Sequence, residues 1–119
     1  MLTTPTSLPV ASVLPSALAL EQVIGEIAAD AAVALARALR EFQTDELSPG
    51  TREHWSTSIT RLFELRVYAG QLDFFAVVRA RGARLLRERH GEDLNARTIA
   101  VLIDAVIEAL RQVVRAELN

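Results

Sequence analysis

Apolar residues recur along this chain at the period of a helix, and short polar breaks divide the pattern into segments. From Ser16 to about Thr44 they fall at Ile24, Ala28, Ala31, Leu35, Ala38 and Phe42, spacings of four and three that draw one seam along a helix laid against another. The seam is rich in alanine, so its partner can come close. Ser16 follows Pro15 as a helix cap, Glu21, Glu26 and Asp30 come early, and Arg37 and Arg40 come late, the order that the helix dipole favours. Asp45 to Pro49 interrupts the pattern. Ser48 can then cap a second helix, with Pro49 at its first position, where a missing N–H does no harm.

The second segment runs from Pro49 to His90 with no further proline, and beyond its first turn only Gly70 and Gly82 lower its helix propensity. Unbroken, it would hold about 42 residues and extend on the order of 60 Å. Leu62, Phe63, Leu65, Val67, Tyr68, Leu72, Phe74, Phe75, Val77 and Val78 point most ways around its axis, whereas a surface helix is apolar along one stripe. The segment should therefore be covered on several sides. Gly91 suits the position just past a helix end, and Asn95 or Asp93 can start the last helix. That helix carries the seam Ile99, Ile103, Val106, Leu110 and Val113, with Leu102 and Val114 alongside.

The pattern predicts an all-α fold in one of two arrangements. The favoured one is a three-helix antiparallel array with a long central helix, because a glycine inside a helix costs only about 1 kcal/mol and no proline or capping cluster marks a break. Its uncovered apolar surface implies a homodimer with Val67, Phe74, Val77 and Val78 at the interface. In the other, the chain turns at Ala69, Gly70 and Gln71 and forms a monomeric four-helix bundle. Residues 1–15 are expected as a flexible arm and residues 16–119 as one helical domain.

Composition narrows the picture. Half of the 119 residues are hydrophobic, only 5% are aromatic, and glycine and proline number 5 and 4, a balance that suits helices. Cysteine is absent, which excludes disulfides, thiolate metal sites and cysteine nucleophiles. Lysine is absent too, which excludes Schiff-base chemistry and suits a GC-rich bacterial genome. No run of about 20 apolar residues occurs, so a cytoplasmic protein with no membrane partner is expected. The first twenty residues lack charge and a basic leader region and contain Pro5, Pro9 and Pro15, although Ala17 and Ala19 imitate a cleavage site.

Five arginines and one glutamate crowd into residues 79–91, in a chain of net charge −2. On a helical projection Arg81, Arg84 and Arg87 oppose the arc of Phe75, Val78, Gly82, Leu85 and Leu86. Glu88, four residues after Arg84, allows an exposed ion pair. A solvated helix face accounts for the cluster; the alternative is a patch formed by Arg81, Arg84 and Arg87 that meets an acidic protein or a nucleic acid. Nucleic acid is disfavoured by a pI near 5.7 and by the absence of aromatic residues among the arginines.

Catalytic chemistry has little to stand on. His54 and His90 are far apart and lie in no metal-ligand spacing. The pairs Glu26 with Asp30 and Asp104 with Glu108 are joined by no Glu-x-x-His motif. The serines at 48, 56 and 58 have no nucleophile-elbow context, and there is no glycine-rich phosphate loop. Trp55 shares a track with Ile59 and Leu62 and should pack near Phe42. The expectation is a small helical interaction or regulatory protein, neither an enzyme nor a cofactor carrier, that self-associates through its central helix and contacts another protein in that role. The alternatives are a nucleic-acid-associated regulator using the arginines of residues 79–89, and a secreted or chaperone-recognised protein led by its N-terminal segment.

Overall fold

A computed structural model describes residues 17–43, 47–70 and 73–118. The described residues form α1 (Ala17–Phe42), α2 (Pro49–Leu65), a short 3-10 turn (Arg66–Tyr68), α3 (Phe74–His90) and α4 (Ala96–Leu118), with no strand among them. The expected arm, the Ser16 cap and Leu72 lie outside the described residues.

The long second helix expected from Pro49 to His90 is corrected to two. Its first half ends at Leu65 and tightens into the 3-10 turn, and Gly70 then takes a left-handed backbone with φ 58°. Asp73 opens α3, its side chain accepting from the Ala76 N–H at 3.2 Å. The break is driven by what it allows α3 to cover. Phe74, Val78, Gly82 and Leu86 fall four apart and are all buried, so folding α3 back turns this row onto α1. Each large member contributes roughly 1.5–3 kcal/mol that a free rod would forgo.

The central helix is α1. It packs against α2, α3 and α4, and Ile24, Ala28, Ala29, Ala31 and Ala32 are almost wholly enclosed. Small side chains on several sides let neighbours approach, which is the physical use of its alanine-rich composition. The closest approach is to α3: a Cβ added to Gly82 would stand 3.0 Å from the Ala28 Cβ and 2.9 Å from Ile103 Cδ1 on α4. The C-terminal part of the expected α1 seam departs from the pattern, since Leu35 and Ala38 are half-buried and Phe42 is 69% exposed. Trp55 packs against the core and borders a cleft with Ala109 and Val113 of α4.

The ends of the helices follow local chemistry. Ser48 caps α2 with its hydroxyl accepting from the Thr51 N–H at 3.2 Å, and Pro49 occupies the first turn. Glu41, at the end of α1, ties the two helices together: its carboxylate accepts from the Ser48 N–H at 2.9 Å and from the Thr51 hydroxyl at 2.9 Å. Asn95 caps α4, its Oδ1 accepting from the Thr98 N–H at 2.8 Å. Gly91 ends α3 in a right-handed conformation, φ −63°. Glycine stands there because a Cβ would fall 2.4 Å from the Arg87 carbonyl oxygen. In α4 the expected seam residues Ile99, Ile103, Val106 and Leu110 are buried with Leu102, whereas Val113 and Val114 are half-buried and Ile107, outside the expected seam, is buried as well.

A candidate docking surface

The four residues expected at an interface part company. Phe74 is 5% exposed and Val78 is fully enclosed within the single chain, so neither can meet a partner. Val77 is half-buried and packs against the core. Val67 stands in the open, 72% exposed, and its neighbour Tyr68 is 62% exposed. The expectation of an interface on an all-round apolar rod is thereby corrected: the turn at Gly70 sends much of that surface inward.

Val67 and Tyr68 do not stand alone. With Phe63 and Leu65 at the end of α2 they face Val23 and Ile27 on α1 across an open groove of about 700 Å³. The 3-10 turn carries Val67 and Tyr68 of the groove lining. Phe63 is half-buried, and the Arg66 guanidinium lies over its ring, 5.4 Å from the centroid, while the Arg66 Nε is buried without a hydrogen-bond partner. Phe63 is part of the lining of the groove. Arg61 and Glu64 line it with opposite charges. Both are exposed, and neither joins an ion pair among the described residues.

The arginine cluster is largely matched inside the chain. Arg81 is half-buried and turns to α1, where its Nε and Nη2 donate to Glu21 Oε1 at 3.3 and 3.1 Å. That corrects its place on a wet face: α3 lies so close to α1 at Gly25 and Gly82 that position 81 is at the helix contact. Arg79 pairs with Asp104 of α4. Arg84 pairs with Glu88 at 3.2 Å, as the spacing implied. Arg87 and Arg89 are exposed at the end of α3, where positive charge suits the helix dipole. A patch of Arg81, Arg84 and Arg87 as a free cationic surface is therefore reduced to Arg87.

Among the described residues no group of histidine and carboxylate side chains is placed to hold a metal ion. His54 and His90 are half-buried. The Glu41 carboxyl is held below the usual glutamate value by the Ser48 backbone N–H, against the opposing effect of burial and with help from the Thr51 and Ser48 hydroxyls and from Arg37. Its partners are helix ends, and the arrangement closes the α1–α2 connection. No helix of the described residues is long and apolar enough to cross a membrane. No family model matches the chain, and no curated protein or solved structure matches it.

Proposed function

We propose that this chain is a small non-enzymatic helical interaction protein that self-associates through the groove between α1 and the end of α2, the partner being a second copy. The observation that carries the reading is the gathering of Val23, Val67 and Tyr68, all exposed, on one groove. Apolar side chains scattered singly need no explanation, whereas a shared concave patch marks a contact site.

The charges on the groove favour a second copy. A twofold interface sets a surface against itself, so it needs complementary features within one patch. Arg61 and Glu64 supply them: each can meet the other's counterpart on the facing chain, and neither joins an ion pair among the described residues. Val67 and Tyr68 would supply the apolar centre.

Sedimentation equilibrium tests the proposal. The full chain is expected to dimerise, Val67→Asp to weaken the dimer at least about tenfold with unfolding unchanged, and Arg61→Glu to weaken it likewise. Adding Glu64→Arg to Arg61→Glu restores the pairing with reversed sign and should recover the dimer. A full chain that stays monomeric at high micromolar concentration, or a Val67→Asp variant that dimerises as before, overturns the reading.

A further inference from the structure

The solvent-facing side of α1 carries a charge pattern that its own chain leaves unmatched. Glu26, Asp30, Val33, Arg37 and Arg40 follow one another at spacings of four, three, four and three, and on a projection of about 100° per residue they share an arc of about 80°. Gly25, which meets α3, and Ile27, which lines the groove, fall about 60° outside this arc on either side. The four charged residues are exposed and join no ion pair among the described residues, and Val33 is half-buried in their midst. Arg37 adds to the groups that hold Glu41 ionised. The helix dipole favours Arg40, in the last turn, but fades beyond a terminal turn, and the first turn holds no acidic residue. It therefore does not account for Glu26, Asp30 or Arg37. Glu26 with Asp30, and Arg37 with Arg40, instead set like charges one turn apart, which disfavours an isolated helix.

We infer that this stripe is a second self-association surface, on which α1 of one chain lies antiparallel to α1 of a second copy about a twofold axis at Val33. Glu26 and Arg40 stand seven residues to either side of Val33, and Asp30 and Arg37 three and four. An antiparallel crossing sets Glu26 against Arg40 of the partner subunit and Asp30 against the partner's Arg37. The twofold repeats both pairs, so opposite charges flank an apolar contact at Val33. A parallel crossing brings like charges together, and a uniformly acidic or basic partner meets like charge along half of the stripe. The stripe is separate from the groove, so a chain that uses both assembles beyond the dimer. Its exposed ion pairs are screened by salt, which makes it the weaker contact of the two.

Sedimentation equilibrium of the full-length Val67→Asp variant, which lacks the groove contact, reads the stripe by itself. At low ionic strength and high micromolar concentration this variant is expected to form a weak dimer that added salt disperses. Adding Glu26→Arg should raise its dissociation constant at least about tenfold, because like charges then face each other. Further addition of Arg40→Glu should restore the dimer, and Arg37→Glu in its place should not, because position 26 faces position 40. Residues 26, 37 and 40 are exposed, and urea unfolding checks that each variant keeps the parent fold. A Val67→Asp chain that stays monomeric at low ionic strength, failure of Arg40→Glu to restore the dimer, or equal restoration by Arg37→Glu overturns the inference. If Val67→Asp dimerises as tightly as the parent while the exchange of Glu26 with Arg40 governs the dimer, the groove reading fails and the stripe stands. If Val67→Asp weakens the parent dimer and Glu26→Arg changes nothing, the stripe fails and the groove stands.

Discussion

Gly25 on α1 lies beneath Arg81 on α3 so closely that a Cβ at position 25 would fall 2.6 Å from the Arg81 Cβ and 3.2 Å from its carbonyl carbon. The obstructing atoms belong to the backbone and the root of the side chain, and no rotation of the guanidinium relieves them. Alanine would gain about 1 kcal/mol of helix propensity. Overpacking outweighs that gain, and Gly25→Ala is expected to lose about 1–2 kcal/mol net. Urea unfolding at unchanged slope measures it; a midpoint equal to the parent's would mean that the helices can separate freely.

Two arginines of the same cluster should respond differently to removal. Arg81 reaches Glu21 at 3.1 Å with both side chains about a third exposed or less, and its stem lies at the α1–α3 contact. Arg81→Ala is expected to lower stability by about 1 kcal/mol. Arg87 is exposed, and Arg87→Ala should change stability by less than about 0.5 kcal/mol. Parallel thermal unfolding of the two variants separates a structural arginine from a solvated one.

The turn between α2 and α3 depends on one backbone conformation. Gly70 has φ 58°, with open space where a Cβ would go, so any penalty on substitution comes from the backbone itself. Gly70→Ala should cost about 1–2 kcal/mol, and Gly70→Asn clearly less, because asparagine tolerates the left-handed region. Equal destabilisation by the two would contradict this cause.

Acid should loosen the junction of α1 and α2. The Glu41 carboxyl is held below 4.5, the value of an unperturbed glutamate, chiefly by the Ser48 N–H. The folded form therefore binds the proton more weakly than the unfolded one. The resulting stability is complete above the unfolded value and is lost as pH falls from 4.5 through the lower folded value. Glu41→Gln should be less stable than the parent at neutral pH, and the difference should shrink as the pH falls through that window. Denaturation at a series of pH values measures it, and a pH-independent difference would assign the effect to packing.

The helices with a single buried stripe were legible in the sequence. Ile24, Ala28 and Ala31 on α1, and Ile99, Ile103, Val106 and Leu110 on α4, are buried as their spacing predicts. The break at Gly70 was legible only as the second of two arrangements, although Gly70 and Asp73 together mark it. Glycine costs little inside a helix, and aspartate is acceptable in a helix as well as before one. What decides is the burial gained by α3 against α1, a contact between segments far apart in the chain. The groove escaped notice for the same reason: Val23 and Val67 become neighbours only after folding. Arg81 was misplaced because a helical projection gives direction and says nothing about how near the next helix lies.

The central place of α1 has a consequence for biosynthesis. A ribosome delivers this helix ahead of the three that cover it. Its alanine flank offers little to grip until Leu86 and the isoleucine row of α4 have emerged. Contacts that join α1 to α4 favour a domain that gains its stability in one concerted event once α4 has left the ribosome.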